Sequence, residues 1–123
     1  MQIGAVAQLV GLSLRTVRLY EEAGLIRPTA RTAGGFRLYD PDSVERLLLI
    51  KQMKPLGFSF EEMRLLIETR DQLADPTIDP EERVRLRSQI AAFSATATEK
   101  VRRLRDQLAS AEHFASRLRD DGF

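Results

Sequence analysis

The sequence contains no cysteine and only one histidine, His113. Without cysteine, the chain can form no disulfide, no thiolate metal site and no thiol redox switch. A single histidine cannot supply a zinc site or a histidine-based catalytic triad. No phosphate-binding loop, GxSxG motif or HExxH motif occurs either. We therefore expect a protein that is not an enzyme and that needs no cofactor or metal.

Long apolar runs are also missing from the sequence. No run approaches the roughly 20 residues that a membrane-spanning helix needs. The first residues, MQIGAVAQLVG, have neither the basic flank nor the small-residue cleavage site of a signal peptide. We expect a cytoplasmic protein with no membrane partner.

Charge is nearly balanced over the whole chain, with 19 basic and 18 acidic residues, but it is unevenly distributed. Residues 1–58 carry eight basic and five acidic residues, whereas the rest carries eleven basic and thirteen acidic residues. A local positive field attracts phosphate-rich partners. If the chain binds nucleic acid, the first half is therefore the part expected to bind it.

The start of the sequence predicts a helix-turn-helix. Residues 3–10 have the apolar spacing of a short helix, and the Ser13 hydroxyl can cap a second helix. That second helix directs Val17 inward and both Arg15 and Arg18 outward. In a helix-turn-helix the second helix enters the DNA major groove. Similar helix pairs also occur in ordinary helical bundles, so this stretch alone leaves both interpretations open.

Residues 29–39 predict a short β-hairpin. Gly34 and Gly35 form a turn signal, and the residues that follow alternate in polarity as a strand does. Beside a helix-turn-helix, such a hairpin is a wing that can direct Arg31 and Arg37 towards DNA. A plain surface hairpin with solvated arginines is the alternative.

Two further helices are predicted in the first part of the chain. One begins at the capping pair Asp40-Pro41 and runs to about Met53. The next begins at the capping box Ser59–Glu62 and runs to about Leu73. The residues expected to face inward from these two helices are Val44, Leu47, Leu48, Met63, Leu66, Ile67 and Leu73.

Residues 81–119, after a linker at 75–80, predict one long helix without glycine or proline. Its apolar residues follow heptad spacing, which is typical of a coiled coil. A narrow stripe of this length needs a partner helix, and a second copy of the chain is the partner we expect; a solitary helix or an internal bundle is the alternative. The residues predicted to form the dimer contact are Ile90, Phe93, Ala97, Val101, Leu104, Leu108, Ala111 and Leu118.

Several motifs in the same order resemble the MerR-type transcription regulators. Residues 3–13 resemble the first helix and turn of that family, and RTVRLYEEAGLI at 15–26 resembles its recognition helix, R-T-[LIV]-R-Y-Y-E-x-x-G-L. GFRLY at 35–39 resembles the first wing, and LGFSFEEM at 56–63 is similar to the second-wing motif. The resemblance implies a mostly α fold with a winged helix-turn-helix at 1–74, followed by a long helix that forms an antiparallel coiled coil in a homodimer.

The resemblance also implies a function. A homodimer of this family binds a palindromic operator in double-stranded promoter DNA, kinks and untwists it, and thereby helps RNA polymerase; without its signal it can repress. The DNA-binding residues expected by this resemblance are Ser13, Arg15, Thr16, Arg18, Tyr20, Arg31, Arg37 and Tyr39. An architectural DNA-binding or partner-recruiting protein without one defined operator is the alternative function.

Three departures from the family pattern stand out. Leu19 occupies a position that is usually aromatic, and Pro55 replaces a helix-compatible residue, which predicts an earlier end of the third helix. The cysteines of metal-sensing and redox-sensing members are absent, and no ligand domain is recognisable after the coil. We therefore expect no metal or thiol sensor in this chain.

Overall fold

The computed structural model describes residues 1–28, 30–35 and 37–120, with the backbone alone at Arg31 and Arg37. The chain divides into two compact units, Met1–Ile78 and Asp79–Phe123. The elements, in chain order, are α1 (Ile3–Val10), α2 (Leu14–Glu22), β1 (Ala30–Arg31), β2 (Arg37–Leu38), α3 (Pro41–Met53), a 3₁₀ helix (Lys54–Leu56), α4 (Phe60–Ala74) and α5 (Pro80–Arg119).

The predicted turn between α1 and α2 is present. Gly11 ends α1 with a left-handed backbone (φ 72°) that glycine adopts without strain. The next helix starts where the Ser13 hydroxyl accepts a hydrogen bond of 3.1 Å from the Thr16 amide. Val6 and Val17 are completely buried, so the apolar faces of the two helices lie in the core.

The hairpin forms a small antiparallel ribbon of two short strands. Ala30 pairs with Leu38, and Arg31 pairs with Arg37. Its backbone is also tied to the start of the chain, because the Tyr39 amide donates to the Met1 carbonyl at 2.7 Å. A two-stranded ribbon alone is marginally stable, and this attachment supports it.

Helix α3 begins and ends where the sequence predicts, but its buried face differs in part. The Asp40 carboxylate caps it by accepting from the Ser43 amide at 2.9 Å. Leu48, predicted to face inward, is 36% exposed, whereas Ile50 is completely buried. The reason is geometric: Ile50 lies three residues after the buried Leu47 and shares its side of the helix, while Leu48 is rotated by about 100°.

Pro55 follows the end of α3 within a 3₁₀ turn that closes at Gly57 (φ 81°). Helix α4 then starts at the predicted capping box, in which the Glu62 amide donates to the Ser59 hydroxyl at 3.1 Å and the Ser59 amide donates to the Glu62 carboxylate at 2.9 Å. Met63 and Ile67 are buried as predicted, while Leu66 and Leu73 are only half-buried.

Four charged side chains join α3 to α4 in a closed ring of ion pairs. Arg46 binds Asp42 at 2.9 Å and Asp71 at 2.7 Å. Arg70 binds the same two carboxylates at 3.0 Å and 3.3 Å. Each charge therefore has two partners of opposite sign, and we call this set the ion-pair ring.

The second unit contains α5, a single helix of 40 residues that extends about 60 Å at 1.5 Å per residue. It begins at Pro80, one residue before the predicted start. The predicted stripe is partly covered at Ile90, Phe93 and Ala97. Further along, Leu104 and Leu108 are 45% and 58% exposed. The second half of the stripe is therefore left open in a single chain.

No helix in the part of the chain that the structure describes is both long and apolar enough to cross a lipid bilayer.

Candidate nucleic-acid interface

The inner face of α2 is fixed by the core. Val17 is fully buried, and Tyr20 is 3% exposed. The Tyr20 ring meets the Phe60 ring edge-to-face, with centroids 5.9 Å apart, an arrangement that aromatic pairs favour. Burial also raises the pKa of the Tyr20 hydroxyl. These contacts determine which residues of α2 point outward.

The outer face of α2 presents four exposed residues, Arg15, Arg18, Leu19 and Glu22. At about 100° per residue they fall within an arc of roughly 100°. Neither Arg15 nor Arg18 forms an ion pair or hydrogen bond with any described residue. Two guanidinium groups on one helix face are therefore available to an external anion, and guanidinium groups bind phosphate and guanine in a bidentate manner.

These two arginines contrast with the arginines of α3 and α4. Arg46 and Arg70 each bind two carboxylates within the ion-pair ring, so their charge is satisfied inside the protein. In contrast, the guanidinium groups of Arg15 and Arg18 on the outer face of α2 are not neutralised by a carboxylate. Arg27, which follows α2, is also exposed, and its guanidinium group has no partner among the described residues.

The N-terminal end of α2 is organised by Ser13 and Thr16. The Ser13 hydroxyl donates to the Thr16 hydroxyl at 2.7 Å and also accepts from the Thr16 amide. Of these two predicted contact residues, Ser13 caps the helix and Thr16 is the residue it bonds. The start of a helix attracts negative charge because its free amide groups and dipole point outward.

The C-terminal end of α2 is held by side chains from distant elements. The Arg64 guanidinium, on α4, donates to the Ala23 carbonyl. The Tyr39 hydroxyl, next to the wing, donates to the Glu21 carboxylate. Lys51 acts in the same way on α1, since its Nζ donates to the Val10 carbonyl at 2.7 Å. The sequence does not reveal these roles of Arg64 and Lys51, because each bonds a carbonyl 41 residues away and no local motif marks such a pair.

Tyr20 and Tyr39 were predicted to contact DNA, but the structure buries both of them. Each is only 3% exposed, since the Tyr20 ring packs on Phe60 and the Tyr39 hydroxyl binds Glu21. In this conformation both rings support α2 from inside and do not form part of the surface. The family resemblance implied that both tyrosines contact DNA, and their burial here gives them a supporting position instead.

The wing brings two basic residues to paired positions, because the strand register joins Arg31 to Arg37. The predicted DNA contacts of these two residues concern side chains that lie outside the described part of the structure, as does Phe36 of the wing motif. The DNA contacts of Arg15, Arg18, Arg31 and Arg37 all remain predictions.

Asp42, in the ion-pair ring, is a carboxylate whose pKa is shifted by its partners. Hydrogen bonds from Arg70 first, and then from Arg46, hold the pKa of the Asp42 carboxyl below its usual range. No three histidine, aspartate or glutamate side chains converge in a way that could hold a metal ion within residues 1–28, 30–35 and 37–120.

The fold combines a helix-turn-helix with a small wing that carries basic residues. The second helix buries one face in the core and presents unpaired arginines on the other. Together these features define a winged helix-turn-helix DNA-binding protein. The family described as "MerR HTH family regulatory protein" matches residues 1–69. The chain belongs to this MerR family of helix-turn-helix regulatory proteins.

Similarity to other proteins extends beyond the first unit and supports this family membership. The HTH-type transcriptional regulator YfmP of Bacillus subtilis is 34% identical over 125 residues, which cover 96% of this chain and 87% of that protein. The nodulation protein NolA of Bradyrhizobium elkanii is 37% identical over 111 residues, which cover 90% of this chain and 48% of that protein. This chain therefore spans about half the length of NolA.

Among solved structures, the fold resembles HiNmlR, described as a MerR family regulator that lacks the sensor domain and is bound to promoter DNA. The TM-score is 0.70 at 23% identity, with 97% of this chain and 90% of that chain covered. At this identity the likeness concerns the fold.

Proposed function

We propose that this chain acts as a homodimer that binds a palindromic operator in a promoter and distorts the DNA there. The observation that carries the proposal is the outer face of α2, on which Arg15 and Arg18 are exposed and unpaired while the inner face is locked into the core. A rigid helix with free guanidinium groups suits the major groove, where arginine binds guanine and phosphate.

The homodimer is supported by the open stripe of α5. Val101, Leu104, Leu108 and Leu118 are between 37% and 58% exposed and follow heptad spacing, so a second copy of the same helix would cover them. Two copies related by a two-fold axis carry two α2 helices. Such a pair matches two half-sites of opposite orientation, which is a palindrome.

The proposal includes DNA distortion and a role at RNA polymerase, and membership of the MerR family supports both. A dimer whose two α2 helices are held at a fixed spacing can bind fully only when the intervening DNA adapts to that spacing. The energy needed depends on the sequence that is bent, so bases that the protein does not touch also contribute to specificity. In a promoter, this distortion can change the register of the elements that RNA polymerase recognises.

The experiment measures DNA affinity as a function of salt for Arg15→Ala and Arg18→Ala on a sequence selected from a random duplex pool. An arginine that reads guanine should contribute about 1–3 kcal/mol and relax the preference at one base pair. An arginine that binds phosphate should weaken all sequences alike and reduce the salt slope by about one unit. We expect Arg15 to read a base and Arg18 to bind phosphate.

The matched control is Arg102→Ala, which removes an equal charge from an exposed position on α5 and should leave affinity almost unchanged. Normal affinity and an unchanged salt slope in both α2 variants would contradict the proposed interface. A broad AT-rich preference in place of one palindrome would favour the architectural alternative.

A further inference from the structure

Leu19 lies on the outer face of α2, which binds DNA in the proposed function, although its side chain has no polar group. It is 48% exposed and lies one helical turn after Arg15, which places both residues on the outer face of α2. Arg18 precedes it directly on that face. A helix orientation that brings Arg15 to the base edges therefore brings Leu19 to them as well.

The chemistry of the groove restricts what a leucine can contact there. Most groups on the major-groove edge are hydrogen-bond donors or acceptors, and covering one of them with an aliphatic side chain would remove its water without replacement, which is unfavourable. The one apolar group on that edge is the 5-methyl of thymine. Leucine and thymine are therefore complementary at this position.

We infer that Leu19 is a specificity-determining residue that reads the 5-methyl group of a thymine in each half-site of the operator. This inference rests on the proposed function, and it adds one base preference to it. The preference arises from burial of one methyl group against the leucine side chain. Its size should be about fourfold in affinity for each methyl, the usual gain for burying a group of that size.

Deoxyuridine provides the test, because it differs from thymidine only by that methyl group. The preferred sequence is first selected from a random duplex pool with the complete chain. Each thymine of the selected duplex is then replaced singly by uracil, and affinity is measured for each duplex. One thymine in each half-site should show a loss of about fourfold, and replacing both should give about sixteenfold when the two half-sites act independently.

Leu19→Ala is the decisive variant. It should bind the unmodified duplex more weakly than the original chain, and the loss on uracil substitution at that thymine should disappear. Alanine favours helix formation at least as well as leucine, and thermal unfolding checks that the variant folds. The matched control is Leu14→Ala: Leu14 is also an exposed leucine on α2, at 38%, but it lies about 100° from Arg15 around the helix. This control should keep the full sensitivity to uracil.

The outcomes separate this inference from the proposed function. A pool that yields no preferred sequence overturns the proposed function and this inference together. A preferred sequence that shows no uracil effect, or an effect that persists in Leu19→Ala, overturns this inference alone. Loss of the effect in Leu14→Ala as well would also overturn it, since it would point to a general change in α2.

Discussion

At the scale of single residues, the turn after α1 requires glycine at position 11. Gly11 has two separate reasons to be glycine. Its φ of 72° lies in the left-handed region, and a β-carbon at this position would stand 2.8 Å from the Lys51 Nζ. That Nζ in turn binds the Val10 carbonyl at the end of α1.

We expect Gly11→Ala to destabilise the first unit by about 1–2 kcal/mol, the usual cost of a left-handed backbone in a residue with a β-carbon, with more added if Lys51 is displaced. Urea denaturation measures the change. The control is Gly4→Ala within α1, where a β-carbon meets nothing within 4 Å. That change should stabilise the helix by about 0.5–1 kcal/mol. Equal effects of the two substitutions would contradict the role given to Gly11.

A second prediction at this scale concerns Asp42 and pH. Because its pKa is lowered in the folded state, mainly by the hydrogen bond from Arg70, it contributes stability above the unfolded pKa of about 3.9. That contribution is lost as the pH falls through the folded value. Asp42→Asn should therefore be less stable than the original chain at pH 7, and the difference should vanish in strong acid.

The Asp42 side chain is 49% exposed, so solvent screening should keep this difference below about 1 kcal/mol. Thermal unfolding between about pH 2 and pH 7 measures it, a range that spans the unfolded pKa. Glu45→Gln, on the same helix and without an ion pair to any described residue, is the control. The stability difference between Asp42→Asn and the original chain should shrink towards pH 2. If it stays constant over the whole range, the pKa of Asp42 does not contribute to stability as proposed.

At the scale of elements, the orientation of α2 depends on α4. The Tyr20 ring meets Phe60, and the Ala23 carbonyl accepts from Arg64. Both partners belong to α4, so the last turn and the C-terminal end of the recognition helix are held by one other helix. A change in α4 should therefore affect DNA binding without contacting DNA.

We expect Arg64→Ala to weaken operator binding because the end of α2 loses a hydrogen bond that orients it. A positional effect lowers affinity but leaves its dependence on salt unchanged. If Arg64 instead bound a phosphate, the salt slope would fall by about one unit. Binding measured between low and physiological salt distinguishes the two explanations, and a reduced slope would refute the positional role.

The elements differ in how well the sequence predicts them. Helix starts with their own caps were predicted closely, because Ser13, Asp40 and Ser59 each bond an amide three residues ahead. Such contacts are visible in a short stretch of sequence. The prediction of the buried face of α3 was partly wrong. Leu48 and Ile50 are equally apolar, and only the packing decides which of them is buried.

The candidate site was predictable to a similar degree. The outward position of Arg15 and Arg18 follows from helix periodicity. Their lack of partners does not, because it depends on which carboxylates the fold brings near. Asp42 and Arg46 have the local i,i+4 spacing of a helical ion pair. The Arg46–Asp71 and Arg70–Asp42 pairs join residues 25 and 28 positions apart, and no local pattern reveals them. The burial of Tyr39 likewise depends on its bond to Glu21, 18 residues earlier.

At the scale of the whole molecule, DNA binding and dimerisation are expected to be inseparable. We predict that the double variant Leu104→Glu, Leu108→Glu is monomeric, since pairing would bury unpaired charges at a cost of several kcal/mol. Operator binding should fall strongly, because one α2 then meets only one half-site. Sedimentation and DNA binding at micromolar protein measure both effects.

The control for this variant is Ser110→Glu, which adds a charge to the same exposed segment of α5 but outside the apolar stripe. It should sediment like the original chain. An original chain that is itself monomeric at micromolar concentration would refute the dimer.

The ion-pair ring has a consequence for how the molecule approaches DNA. Two positive and two negative charges that alternate around a ring form an electric quadrupole, whose field declines with distance much faster than that of a single charge. Salt further limits every field to a screening length of about 8 Å under physiological conditions. Approaching DNA should therefore sense the unpaired guanidinium groups of Arg15, Arg18 and Arg27 more strongly than those of Arg46 and Arg70. The ring thus removes two arginines from the field outside the protein, so the arginines near α2 should have a larger share in turning that face towards DNA before contact is made.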